Sequence, residues 1–397
     1  RLFRENGITG KGIRIAVFDG GFPEVNKHPA FEHIRSDGRI IATFDFTKDK
    51  EFSYRGSSHG LSTLSNIGGK YGSLLIGLAP EAEYLLAVTE VNREIFKEEV
   101  WWVAAAEWAD KNGAQIINSS LGYTEPRYAP SQMDGRYTMI SRAANIAVSK
   151  GILVINAAGN EGMTPSWQII GAPADADSVL SVGGVNPNSG LKINFSSFGP
   201  NASRKLKPNV AASGTTVAAR PLGRFGKVDG TSFASPLVAG FAACVMQLRP
   251  GLKAMEYFDL IQKSAHLYPY FDYAHGFGIP QADYFFQART EISKTFTAVY
   301  NRLHSDNTVQ NMDLLLQDQP IPPGQESILI SLMTEHTNDS EFPAFDYFYY
   351  HFANEKNELV HYEVVIPVRT FSVPVPDAGA SVFRAFYKGH YVEVILK

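Results

Sequence analysis

Short apolar runs of strand length recur along this chain, several of them running into glycine-containing stops. Ile13–Phe18 ends at Asp19-Gly20-Gly21, and Ile40–Phe46, Glu83–Val88, Gln115–Asn118, Ile152–Ala158 and Val179–Val182 follow. Runs that stay apolar at nearly every position mark strands buried on both faces of a parallel sheet. Between them the spacing turns helical. Leu61–Ile67 stops at Gly68-Gly69, Glu98–Lys111 at Asn112-Gly113, and Tyr137–Lys150 at Gly151. Glycine just past a helical run is a common helix stop. Strands alternating with helices of about 10–15 residues predict an α/β fold, with a parallel sheet between helices in three layers. Lys207–Gly214 reads as a loop, and Tyr257–Ser264 and Ala282–Arg289 as helices divided by the turn at His275-Gly276-Phe277-Gly278.

Near Glu291 the pattern changes. Thr295–Tyr300, Ser327–Leu332, Tyr347–Phe352, Glu363–Val368 and Tyr391–Leu396 are strand-rich and aromatic, divided by turns such as Gln319–Gly324. Strands without intervening helices predict an antiparallel β-sandwich. The chain therefore divides into residues 1–290, an α/β domain, and residues 291–397, a C-terminal β-sandwich. Tyr347-Phe348-Tyr349-Tyr350 either alternates into that sandwich's core or lines a surface.

Composition narrows the function more than the fold. The 397 residues carry 36 basic and 40 acidic side chains, a net charge of -4 with the signs well mixed. No basic stripe points to nucleic acid. Cys244 is the single cysteine, so no intrachain disulfide forms, and its place in an apolar helix suits an inert buried thiol. No apolar run reaches the roughly 18–20 residues of a membrane span. Arg1-Leu2-Phe3-Arg4-Glu5-Asn6 reads as folded-domain helix rather than signal peptide.

The chemistry gathers around Gly230-Thr231-Ser232-Phe233-Ala234-Ser235-Pro236, which leads into Leu237-Val238-Ala239-Gly240 and apolar Phe241–Leu248. This predicts a serine at the start of a buried helix, with Pro236 in the first turn. Free N–H groups and the positive end of the helix dipole favour negative charge there. A hydroxyl so placed can become a nucleophile, although an ordinary capped helix has the same sequence. Asp19 ends a buried strand, where parallel sheets collect active groups; Asp-Gly also makes plain turns. His59 opens an apolar helix, as a base or as a hydrogen-bonded structural histidine. Asn160 stands between two glycines at another strand end and offers a side-chain N–H. An acid that orients an imidazole, a base that takes the serine proton, and an oxyanion donor together form a complete acyl-transfer set.

With these residues in the order Asp, His, Ser, the chain resembles the subtilisin-like serine proteases, the subtilases. The matching segments are Gly10-Lys11-Gly12 through Asp19-Gly20-Gly21, Ser58-His59-Gly60, Ser120-Leu121-Gly122, Ala157-Ala158-Gly159-Asn160 and Gly230–Gly240. The resemblance spans about residues 5–290. It implies a serine endopeptidase with Asp19 as orienting acid, His59 as general base and Ser232 as nucleophile. Asn160 and the Ser232 N–H become the oxyanion hole. Ser120-Leu121-Gly122 becomes the edge that pairs with a protein or peptide substrate. Gly171 becomes the uncharged floor of an open pocket suited to a large apolar or aromatic side chain. A catalytically silent relative that binds peptides in the same groove is the alternative.

The sequence departs from the family in several places. Gly20 stands where a hydroxyl residue usually follows the acid, and Ser62 where a second histidine often follows the base. Lys70-Tyr71-Gly72-Ser73, before Gly77-Leu78-Ala79-Pro80, lacks the Asn-rich calcium loop of many relatives. No set of about 6–8 oxygen ligands is identifiable, so no cofactor is expected and calcium has no assignable site. Asn92–Glu99 reads as a solvated helix start or as an acidic rim beside the groove. The family resemblance further implies an inhibitory N-terminal pro-segment, a zymogen, and a secreted or cell-envelope location. It also makes the sandwich a supporting domain.

Overall fold

The computed structural model describes residues 1–51, 54–91, 95–286, 294–301, 325–333, 347–377 and 379–396. Asn92–Glu94, residues 287–293 and the Gln319–Gly324 turn lie outside them. Two compact units emerge, Arg1–Phe286 and Gln287–Lys397.

The first unit begins with α1 (Leu2–Glu5), β1 (Arg14–Asp19), α2 (Glu32–Ser36) and β2 (Ile40–Asp45). Next come α3 (His59–Gly68), a small hairpin of β3 (Lys70–Tyr71) and β4 (Leu74–Leu75), and β5 (Glu83–Val88). They are followed by α4 (Lys97–Lys111), β6 (Ile116–Ser119), α5 (Met139–Ser149), β7 (Leu153–Ala157), β8 (Leu180–Val185) and β9 (Val210–Ser213). A second hairpin, β10 (Thr215–Arg220) and β11 (Arg224–Asp229), precedes α6 (Thr231–Leu248) and α7 (Ala254–Ser264). Seven strands form one sheet in the order β2-β5-β1-β6-β7-β8-β9. Every pair in it is parallel.

The apolar runs account for this directly. Ile15, Ala16, Val17 and Phe18 of β1 are fully buried, as are Ile116, Ile117, Leu153, Val154 and Ile155 further across the sheet. Helices α3 and α6 pack together against the sheet, as do α4 and α5. By length and composition α6 could cross a bilayer. Most of it is buried inside the unit, as a core helix would be.

Several sequence expectations need correction. Lys207–Gly214 is not all loop, because Val210–Ser213 forms the sheet's seventh strand. Its four small residues are too few to announce themselves. Strand β8 does not stop at Val182 but runs through Gly183-Gly184. A Cβ on Gly183 would stand 3.0 Å from Pro208 Cγ, and one on Gly184 3.3 Å from Thr231 Cγ2. Those glycines let neighbouring segments approach the sheet rather than ending the strand. In Ala282–Arg289, the described part holds only a 3₁₀ turn, Asp283–Phe285.

In the second unit, β12 (Phe296–Asn301), β13 (Ser327–Leu332) and β16 (Thr370–Pro374) form one antiparallel sheet. The other antiparallel sheet has β14 (Phe348–Ala353), β15 (Leu359–Val365), β17 (Val382–Tyr387) and β18 (His390–Ile395), in the order β15-β14-β17-β18. Phe296, Ile328 and Val373 from the first share one core with Phe348, Tyr350, Phe352 and Phe383 from the second, the packing of a β-sandwich. Phe348 and Tyr350 of the aromatic run thus lie in the core. Strands β16 and β17 were not read from the sequence, and the strand placed at Glu363–Val368 lies earlier, at Leu359–Val365.

Candidate active site

Strand β1 delivers Asp19 to the carboxyl edge of the sheet, fully buried. Its carboxylate receives the Gly20 N–H at Oδ1 (2.7 Å) and the Thr63 hydroxyl at Oδ2 (3.1 Å). His59 Nδ1 lies 3.0 and 2.9 Å from the two oxygens. That geometry assigns the proton to Nδ1 and leaves Nε2 as an acceptor. His59 opens α3, its N–H donating to Ser57 Oγ (3.2 Å) and its ring 5.4 Å from that of Phe233. Gly60 makes the close approach possible, since a Cβ there would meet the Gly21 carbonyl at 2.2 Å. Burial pulls the imidazole pKa down, but the Asp19 charge and its hydrogen bond raise it more. The net shift is upward.

Ser232 is the second residue of α6, which follows Gly230 at φ 148°, in the region that favours glycine. As a first-turn residue its N–H has no carbonyl four residues back to reach. Pro236 stands in the second turn rather than the first. Lacking an N–H, it cannot donate to the Ser232 carbonyl four residues earlier. The Ser120 hydroxyl donates to that carbonyl instead (2.9 Å), and Asn118 Nδ2 donates to Ser120 Oγ (3.2 Å). Asn118 Oδ1 also accepts from Ser235 (2.9 Å), so the end of β6 is tied to the first turns of α6. In this state the Ser232 hydroxyl donates to the Ser120 carbonyl (3.2 Å). Among the described hydrogen bonds it makes none to His59.

Asn160 follows β7 on the opposite flank. Its Oδ1 accepts from the Thr231 N–H (2.9 Å) and hydroxyl (3.0 Å), which fixes the amide and frees Nδ2 for another acceptor. Asp19, His59, Asn160 and Ser232 line one cleft of about 340 Å³, together with Ser120, Leu121, Gly122 and Gly171. All eight residues singled out in the sequence meet there. The 120–122 segment is not itself a strand; Asn156 Nδ2 holds its Leu121 carbonyl at 2.9 Å.

The lining adds residues the sequence did not suggest: Glu90, Thr124 and Glu161. Thr124 narrows the floor, because a Cβ on Gly171 would stand 2.9 Å from its Cγ2. Thr63 was also missed, although it lies one helical turn after His59, on the same face of α3. Ser62 donates to the Ala219 carbonyl (2.8 Å) instead of touching the site.

Glu98 and Glu99 contradict both earlier readings of their segment. They are fully buried, with Arg127 at 3.7 and 3.2 Å and the Tyr128 hydroxyl donating to Glu99 at 2.8 Å. They form neither a solvated helix start nor an exposed rim. Cys244 is buried, and its thiol pKa is pushed up to about 12 by burial. Among the described residues no group of three or more His, Cys, Asp or Glu side chains is placed to hold a metal ion.

Residues 10–278 match the sequence profile of the subtilase family. Subtilisin NAT of Bacillus subtilis subsp. natto is 32% identical over 261 residues, covering 65% of this chain and 62% of the relative. Serine protease AprX of Bacillus subtilis (strain 168) is 30% identical over 286 residues, covering 64% of this chain and 61% of the relative. The chain thus spans somewhat under two thirds of the length of these relatives. Among solved structures, MycP1 with its N-terminal propeptide removed aligns with a TM-score of 0.57 at 26% identity, over 73% of this chain and 96% of that one. A cold adapted subtilisin-like serine proteinase aligns at 0.52 and 23% identity, over 65% and 84%, a likeness of fold.

Proposed function

Since the chain belongs to the subtilase family, we propose that it is a serine endopeptidase acting through Asp19, His59 and Ser232. One observation carries the reading: His59 Nδ1 is held by both oxygens of buried Asp19 in the same cleft that Ser232 and Asn160 line.

The Ser232 hydroxyl rotates from the Ser120 carbonyl toward His59 Nε2, which takes its proton as the oxygen attacks a peptide carbonyl carbon. Catalytic hydrogen bonds are often unformed before substrate arrives. The resulting oxyanion is held by Asn160 Nδ2 and the Ser232 N–H at the positive end of α6. Imidazolium His59, stabilised by Asp19, then gives the proton to the leaving amine, and an acyl-enzyme remains. Water, activated by His59, releases the acid and regenerates the serine. No cofactor enters these steps. The substrate is a protein or peptide laid along Ser120-Leu121-Gly122. An apolar side chain occupies the space above Gly171, whose floor carries no charge and is narrowed by Thr124, and a cleavage profile from a peptide library tests this subsite. Residues 1–290 form the peptidase domain and residues 291–397 the accessory sandwich. By family likeness we also propose a secreted or cell-envelope enzyme made with an inhibitory pro-segment.

A fluorophosphonate probe tests the core of the reading. The parent is expected to become labelled at Ser232, and Ser232→Ala to remain unlabelled. An unlabelled parent would instead support a silent, peptide-binding relative.

A further inference from the structure

We propose that Thr63 is a positioning residue of the acyl-transfer site, supplying the hydroxyl that holds Asp19 in register with His59. The inference rests on the reading of Asp19, His59 and Ser232 as a working triad.

A fully buried carboxylate has no water to satisfy it and depends on protein donors. Among the described hydrogen bonds Asp19 has three: from the Gly20 N–H, His59 Nδ1 and the Thr63 hydroxyl. The first two meet Oδ1, and His59 also meets Oδ2. Among the described hydrogen bonds only Thr63 otherwise touches Oδ2, at 3.1 Å. Residue 20 has no hydroxyl to offer, and its surroundings discourage one. A Cβ on Gly20 would stand 3.2 Å from Ser57 Cβ, and Ser57 Oγ is already the acceptor for the His59 N–H. The donor comes from the helix that carries the base, one turn further on.

Thr63 has a competing acceptor, the Gly60 carbonyl at 3.2 Å, the ordinary back-bond of a helical threonine. Its one proton serves one acceptor at a time. Between a neutral carbonyl and a slightly nearer buried carboxylate, the charged acceptor forms the stronger bond. With Thr63 Oγ1 and His59 Nδ1 both fixed by α3, the carboxylate is held between two points of one rigid helix. Among the described interactions, the charge that acts on His59 is that of Asp19.

The test compares Thr63→Val, which keeps the shape and removes the hydroxyl, with Thr63→Ser, which keeps the hydroxyl. Rates are taken per active site titrated with the fluorophosphonate, so misfolded protein drops out. Thr63→Val is expected to lose roughly tenfold in kcat, with KM little changed, as for a lost bond to a charged group. Its acid limb of kcat/KM should move to higher pH, because a carboxylate without its hydroxyl donor attracts the imidazolium more strongly. Thr63→Ser should restore both. Thr63→Val matching the parent in kcat and pH profile overturns the inference, as does Thr63→Ser behaving like Thr63→Val. These outcomes are separate from failure of the triad itself, which shows as an unlabelled parent. If Thr63→Val yields no titratable sites, Thr63→Ala carries the same comparison.

Discussion

Among the described hydrogen bonds only half of the Asn160 amide is committed. Thr231 donates to the oxygen twice, the nitrogen makes no bond among them, and the residue lines the cleft. Asn160→Ala should therefore lower kcat by about 10²–10³-fold with little change in KM, because the nitrogen's partner forms only in the transition state. A steady-state series with one peptide substrate decides it, and an effect confined to KM speaks against the assignment. Asp19→Asn should cost about 10⁴-fold, since an amide N–H facing Nδ1 forces the wrong tautomer. In the parent, the raised imidazole pKa means activity falls with decreasing pH from a point above the ordinary histidine value. Asp19, His59, Asn160 and Ser232 were legible in the sequence because each joins a reactive side chain to an element end. Thr63 was not, because its role depends on Gly20 lacking a hydroxyl and on helical phase.

At the level of elements, the junction between β6 and α6 sets where Ser232 stands. Pro236 removes a donor from α6, and Ser120 from the segment after β6 supplies it. Ser120→Ala leaves the Ser232 carbonyl without this donor, and a buried acceptor so abandoned costs about 1–3 kcal/mol. Denaturant unfolding of the inactive Ser232→Ala background, with and without Ser120→Ala, measures it free of self-digestion. An unchanged midpoint would mean the carbonyl finds another partner. The same junction shows what pattern reading detects. Strands such as β1 and β5 were legible because five of six positions in each are buried. Strand β9 was missed because alanine and serine carry little hydrophobic signal. The first turn of α4 was misread because Glu98 and Glu99 look solvated until Arg127, almost 30 residues on, folds against them. Buried ion pairs between distant segments leave no local pattern.

For the molecule as a whole, the most consequential charge away from the cleft is Lys207. It is fully buried, with Nζ donating to the carbonyls of Ala176 and Val179, both at 2.7 Å, and to Asn209 Oδ1 at 3.1 Å. It fastens the chain between Gly171 and β8, the stretch that continues from the candidate pocket floor. Burial lowers its pKa to about 7, while Asp175 and Asp177 pull it back up. The folded chain therefore holds one proton fewer than the unfolded chain between about pH 7 and the ordinary lysine value, 10.5. Where the unfolded state binds more protons, stability rises with pH. Over this window the slope from Lys207 approaches about 1.4 kcal/mol per pH unit. Buried Asp175 has the opposite sign: burial raises its pKa from 3.8 to about 6, against its bonds from Ser141 and Gly135. Its contribution is complete below pH 3.8 and is lost as the pH rises through about 6. Lys207→Met, again in the Ser232→Ala background, should remove the alkaline rise. It should also carry the loss to higher pH, because the nearby ammonium favours the Asp175 carboxylate. Urea unfolding of both proteins from pH 4 to 10 separates the two effects. Parallel curves above pH 7 would show that Lys207 keeps its proton in the fold, its three oxygen acceptors outweighing burial.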